Sequence, residues 1–138
     1  MRRFTLLVAL FTLTFSSTAL AVAPAAEDGS LSSLAEASLR SGQYGVAAVL
    51  ARKAVQAEPA CVKPYLVLGL SLDRLEDYEG AAEAYRVVAS RTPQRHKTLL
   101  LLGHALKRSG DIEGAVRVFS QAEAEKNPRA DMLTKATF

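Results

Sequence analysis

The sequence repeats itself at a fixed interval, and this period limits what the chain can fold into. Proline recurs at Pro59 and Pro93, which are 34 positions apart. The same spacing relates Tyr44, Tyr78 and Ile112; Ala47, Ala81 and Ala115; Leu34, Leu68 and Leu102; Ala35, Gly69 and Gly103; and Ala54, Val88 and Ala122. A fixed period between about 20 and 50 residues indicates units that stack on one another and share a continuous core.

Each unit contains two helical patterns that are separated by a turn. In the second unit Leu68, Leu72 and Leu75 recur at intervals of three to four residues, which is the spacing of one face of an α-helix. The polar pair Glu76-Asp77 interrupts this pattern, and it resumes at Ala81 before Thr92 and Pro93 end it. The unit is therefore predicted to be a helical hairpin.

Glycine and proline mark the predicted ends of the helices. Gly42 and Gly110 follow the leading helices of the first and third units, where glycine can adopt the left-handed conformation that closes a helix. Pro64 lies near the start of a helix, where a missing N–H costs least. Small residues at matching positions allow paired helices to approach closely, and residues of increasing bulk are expected to pack against the next helix. The small residues are Ala35, Gly69 and Gly103, and again Ala47, Ala81 and Ala115; the residues of increasing bulk are Ala51, Tyr85 and Phe119.

The combined pattern resembles the tetratricopeptide repeat, which joins this period to leucine and a small residue in the leading helix and to alanine and an aromatic residue in the second. The matching residues are Leu68-Gly69, Leu72, Tyr78, Ala81, Tyr85, Val88 and Pro93, and again Leu102-Gly103, Leu106, Ile112, Ala115, Phe119 and Ala122. The large aromatic residue often found early in the leading helix is replaced by Leu31, Tyr65 and Leu99. The first unit, with Ser38 and Ala51, is the weakest match.

The resemblance implies an all-α, right-handed α-solenoid of three helical hairpins. The predicted repeats span about residues 28–61, 62–95 and 96–129 within a domain of residues 30–138. Residues 130–138, with apolar Met132 and Leu133, are predicted to form a short capping helix. A helix of this length does not survive alone in water, so it is expected to pack on the third unit.

The first 21 residues have the layout of a secretory signal peptide. A basic start at Arg2 and Arg3 precedes an apolar stretch from Phe4 to Phe15, and small residues lead up to Ala21. We expect cleavage after Ala21 and a flexible lead-in over residues 22–29. The alternative is an uncleaved inner-membrane anchor over residues 4–26. Because small exported eukaryotic domains tend to be rich in disulfides, the low cysteine content favours the periplasm of a bacterium.

Composition excludes several classes of function. The 17 Lys and Arg residues exceed the 14 Asp and Glu residues by three, and loss of the first 21 residues removes Arg2 and Arg3, so a nucleic-acid partner has little electrostatic basis. One cysteine, Cys61, and two histidines, His96 and His104, cannot form a structural zinc site. The sequence carries no Gly-rich phosphate loop and no nucleophile turn. We expect no enzyme activity, no cofactor and no metal.

The resemblance implies that the leading helices line a concave groove in which a peptide is held. Helical spacing projects twelve residues onto this groove: Glu36, Arg40, Lys63, Leu66, Val67, Leu70, Arg74, Lys97, Leu100, Leu101, His104 and Arg108. Arg40, Arg74 and Arg108 recur at the repeat period and are predicted to form a ladder beside an apolar trough. Such a surface fits a protein segment with apolar anchors and acidic residues or a carboxylate terminus. The predicted function is therefore a non-catalytic adaptor or assembly factor.

Other interpretations stay open at this point. The three arginines can instead stabilise the negative ends of their own helices, and part of the leucine run Leu99 to Leu102 can be ordinary core. The chain can also be a scaffold that associates with itself through its C-terminal end, or an accessory subunit of a cell-envelope enzyme. An exposed Cys61 could cross-link two copies in an oxidising compartment.

Overall fold

A computed structural model describes residues 30–93 and 95–126, and in this part the chain forms six α-helices. They are α1 (Leu31–Arg40), α2 (Tyr44–Ala57), α3 (Lys63–Arg74), α4 (Tyr78–Arg91), α5 (His96–Ser109) and α6 (Ile112–Lys126). We call α1, α3 and α5 the leading helices, and α2, α4 and α6 the trailing helices.

The helices pack in chain order as three hairpins. Within each hairpin the leading helix packs on its trailing helix, and α2 and α4 in turn pack on the leading helix of the next hairpin. The leading helices α1 and α3 also contact each other directly. The predicted all-α stack of helical hairpins is confirmed.

The turn inside each hairpin follows one scheme. Gly42 and Gly110 have the left-handed φ values of 78° and 95°, as their sequence positions predict. The equivalent position of the second hairpin is occupied by Glu76, which has a φ of 64°. In the second and third hairpins an aspartate then caps the trailing helix: Oδ1 of Asp77 accepts from the N–H of Gly80, and Oδ1 of Asp111 accepts from that of Gly114. The turn that contains the polar pair Glu76-Asp77 is thus a capping turn.

Close packing inside the hairpins depends on the small residues of the leading helices. A Cβ atom added to Gly69 would lie 2.6 Å from Cε1 of Tyr85, and one added to Gly103 would lie 2.5 Å from Cε1 of Phe119. Both distances are shorter than a carbon–carbon contact allows, so glycine is required for these rings to fit. Tyr85 is 1% exposed and belongs to the main apolar cluster, which joins the first hairpin to the second and third.

Three predicted segments lie outside the described residues: the signal peptide over residues 1–21, the lead-in over 22–29 and the capping helix over 130–138. Across residues 30–93 and 95–126, none of the helices has both the length and the apolar character that crossing a membrane requires.

Candidate protein-binding surface

The candidate surface is formed by the leading helices. Each of them buries one face against trailing helices, and their amphipathic sequences leave a polar face with basic side chains near the C-terminal end. Arg40 ends α1, Arg74 ends α3, and Arg108 is in the last turn of α5. The three arginines predicted as a ladder therefore occupy equivalent places on successive leading helices, and all three are exposed.

Two of these arginines lie over tyrosine rings of the preceding hairpin. The guanidinium carbon of Arg74 is 5.7 Å from the ring centre of Tyr44, and that of Arg108 is 5.3 Å from the ring centre of Tyr78. A cation within about 6 Å of a ring centre is attracted by the negative face of the ring. Both contacts join a leading helix to the trailing helix of the previous unit, so they stabilise the stacking and also fix where the guanidinium groups lie.

The charged residues on this surface are only partly compensated. Nζ of Lys63 is 2.7 Å from Oε1 of Glu36, which ties α3 to α1. Nη1 of Arg108 is 3.7 Å from Oδ1 of Asp73. Among the described residues of the leading helices, six exposed cations stand against two carboxylates, Glu36 and Asp73. The cations are Arg40, Lys63, Arg74, Lys97, Lys107 and Arg108.

The apolar residues of the predicted groove do not all reach its surface. Val67 is 4% exposed and packs with Ala35 and Ala51, so the structure corrects its assignment to the groove and places it in the core between α1, α2 and α3. The other four are half-buried and pack against core clusters on one side. They are Leu66, Leu70, Leu100 and Leu101. Their partial exposure leaves some apolar area for a ligand.

The histidines and the cysteine have structural surroundings. His104 is exposed on α5 and meets the Phe119 ring edge-on, with 5.2 Å between ring centres. Nδ1 of His96 is 2.8 Å from the carbonyl oxygen of Ala122, which joins the start of α5 to α6. Cys61 is a half-buried free thiol. Within the described part of the chain, no group of three or more His, Cys, Asp or Glu residues is arranged to hold a metal ion.

Sequence reasoning does not find the residues that hold the arginines in place. Tyr44 and Tyr78 are recognised from the sequence only as members of the repeat, and the sequence pattern does not single out Asp73. A signal is present, because Arg74 and Arg108 follow their tyrosines at the same interval along the chain. A third contact of this kind joins Arg91 to Tyr65 at 5.1 Å, and Arg91 also donates to the carbonyl oxygen of Pro59.

Comparison with known families agrees with this geometry. Residues 33–96, which cover nearly all of α1 to α4, match the model of the tetratricopeptide repeat family. The third hairpin has the same helix order and turn. Domains of this family generally act as protein–protein interaction modules and are typically non-catalytic. A comparison with curated protein sequences found no match.

Proposed function

We propose that this protein is an adaptor or assembly factor that holds a segment of a partner protein on the surface formed by its leading helices. The observation that carries the proposal is the charge of this surface, which has six exposed cations and two carboxylates beside four half-buried leucines. A segment with acidic side chains or a terminal carboxylate, spaced by apolar residues, complements both features.

The aromatic contacts support a role for the arginines in binding. Arg74 and Arg108 are anchored over Tyr44 and Tyr78, so less side-chain entropy is lost when a carboxylate binds them than for a freely rotating arginine. A guanidinium group also presents paired N–H donors that match the two oxygens of a carboxylate.

The proposed place of action is the periplasm of a bacterium. The support is the basic start, apolar stretch and small-residue exit of residues 1–21, which are the parts of a secretory signal. Cell fractionation tests this part independently, by following whether the chain is shortened and released with periplasmic contents.

A photoreactive amino acid at Leu70 tests the binding surface. Leu70 is half-buried on α3, about one helical turn before Arg74, so a bound segment would lie within reach of it. Irradiation of cells that produce the protein should give a discrete cross-linked product. The matched control places the same amino acid at Val49, which is exposed on α2 away from the leading helices, and should not give that product.

Charge reversal then tests the role of the arginines. We expect Arg74→Glu combined with Arg108→Glu to abolish the Leu70 product while far-ultraviolet circular dichroism stays unchanged. The matched control is Arg52→Glu combined with Arg86→Glu, which reverses two exposed arginines that also occupy equivalent repeat positions but lie on α2 and α4. The proposal fails if both double variants give the same amount of product as the parent chain.

A further inference from the structure

The two ends of the helical stack expose apolar residues whose repeat equivalents are covered inside the stack. On α1, Leu34 is 41% exposed, whereas its equivalents Leu68 and Leu102 are half-buried and buried in the core. On α6, Val116 is 59% exposed, whereas its equivalents Ala48 and Ala82 are 5% and 2% exposed. The differences arise because α2 packs on α3 and α4 packs on α5. Among the described residues, no preceding hairpin covers α1 and no following hairpin covers α6.

The two end faces correspond to the two sides of an interface that occurs twice inside the chain, where a trailing helix packs on the next leading helix. The contact of α2 with α3, and of α4 with α5, brings a trailing face against a leading face. The face of α6 is the trailing half of this interface, and the face of α1 is its leading half. A second copy that follows α6 as α5 follows α4 would cover Val116 of one copy and Leu34 of the other at the same time.

The side chains at the two ends compensate for each other in size. Inside the stack Ala48 and Leu72 belong to one apolar cluster. Ala82 and Leu106, their equivalents one repeat further along the chain, belong to the same cluster. At a junction between copies the corresponding residues are Val116 and Ser38. The larger valine replaces alanine on the trailing side, and the smaller serine replaces leucine on the leading side, so the combined volume is nearly kept.

We propose that copies of this protein associate head to tail, with α1 of one copy packed on α6 of the next. The contact is heterologous, because two different faces meet, and it therefore leaves one free face of each kind at the ends of every assembly. The assembly extends the repeat stack from one copy to the next. The leading helices of successive copies then form one continuous surface, and all copies point the same way. This inference does not rest on the proposed peptide partner.

Sedimentation velocity at a series of concentrations tests the proposal. Because residues 1–21 are apolar themselves, the full chain is measured in parallel with a chain that starts at Val22, which keeps all six described helices. We expect the average sedimentation coefficient to rise with concentration without reaching a fixed dimer limit. Leu34→Glu and Val116→Glu should each weaken association by about tenfold or more, because each places a charge in an apolar contact.

Mixing the two variants distinguishes head-to-tail contact from every symmetric alternative. The Leu34→Glu chain keeps an intact α6 face, and the Val116→Glu chain keeps an intact α1 face, so a mixture should form a one-to-one heterodimer and nothing larger. Formation of the heterodimer also shows that both variants are folded. The matched control is Val49→Glu, which changes an exposed valine whose repeat equivalents are already Glu83 and Arg117, and it should associate like the parent chain.

Two results would overturn the proposal. The first is a parent chain that stays monomeric at every concentration, whether or not a chain ending at Lys126 associates. The second is self-association in both end variants together with no gain on mixing, which indicates a symmetric interface elsewhere.

Discussion

The guanidinium carbon of Arg108 lies 5.3 Å from the ring centre of Tyr78, and the pair joins helix α5 to the start of helix α4. The same relationship, with the same separation along the chain, joins Arg74 to Tyr44 one hairpin earlier. In a stack of hairpins each unit contacts only its neighbours, so a contact that recurs at each junction stabilises the whole assembly. These pairs give the aligned arginines a structural role besides the proposed role in binding.

A double-mutant cycle measures how strongly Arg108 and Tyr78 are coupled. We expect Arg108→Met and Tyr78→Leu to show a coupling free energy of about 0.5 to 1 kcal/mol, the range for a cation over an exposed aromatic ring. Urea unfolding followed by circular dichroism gives the four free energies of unfolding. In the control cycle Arg86→Met replaces Arg108→Met, and its effect should add to that of Tyr78→Leu. Additive effects of Arg108→Met and Tyr78→Leu would contradict the contact.

Glu76 occupies a position that the other two hairpins give to glycine. Its φ of 64° places a residue with a Cβ atom in the left-handed region, which costs about 1 to 2 kcal/mol. Replacement by glycine relieves this strain, and the greater freedom of glycine in the unfolded chain offsets part of the gain. We expect Glu76→Gly to raise the free energy of unfolding by about 0.5 to 1 kcal/mol.

The reverse substitution provides the control for Glu76→Gly. Gly110 has a φ of 95°, and a Cβ atom there would meet no atom within 4 Å. A loss of stability in Gly110→Ala therefore reports backbone strain alone, and we expect it to be about 1 kcal/mol. If Glu76→Gly lowered stability in the same urea titrations, strain at this turn could not be the explanation.

The fold can be predicted from the sequence because each local signal agrees with the period. The fixed spacing predicts the hairpins, and Gly42 and Gly110 mark the turns that the structure places in the left-handed region. The small residue at Gly69 predicts a close approach, and the structure shows Tyr85 filling the space. Glu76 cannot be predicted as left-handed, since its side chain gives no preference for that conformation.

The candidate surface is predicted less well because it depends on how units stack. Helical spacing assigns a residue to a face, but α3 is covered by α1 and α2 on one side and α4 on another, so Val67 belongs to the core. The contact of Arg74 with Tyr44 crosses from one hairpin to the next, and spacing within a helix contains no information about it. The relative placement of hairpins decides both outcomes.

Close packing between α3 and α4 predicts that Gly69 cannot be enlarged. We expect Gly69→Ala to lower the free energy of unfolding by about 1 to 3 kcal/mol, because the new Cβ atom displaces the buried ring of Tyr85. Gly45→Ala in helix α2 is the matched control: its Cβ atom would meet nothing within 4 Å, and alanine favours a helix. Gly45→Ala should not lower stability. Equal effects of the two substitutions in urea titrations would exclude a steric cause.

The hydroxyl of Tyr85 is buried and has no hydrogen-bond partner among the described residues. Leaving a polar group buried and unpaired costs about 1 to 3 kcal/mol, so Tyr85→Phe should raise the free energy of unfolding by about 1 kcal/mol near neutral pH. Leu72 belongs to the same apolar cluster but carries no hydroxyl, and Leu72→Ala, which only removes volume, should lower stability.

A pH series isolates the ionisation of this hydroxyl. Burial, reinforced by the carboxylate of Asp73 and opposed by Arg74, raises the pKa of Tyr85 far above the ordinary value of about 10. Above pH 10 the unfolded chain releases this proton and the folded chain keeps it, so the folded state is disfavoured by about 1.4 kcal/mol for each further pH unit. Tyr85→Phe lacks this loss, whereas the other tyrosines contribute equally to both chains. The advantage of Tyr85→Phe in urea titrations should therefore be constant from pH 7 to 9 and widen above pH 10; an advantage that stays constant up to pH 11 would show that the ring is accessible to water in the folded chain.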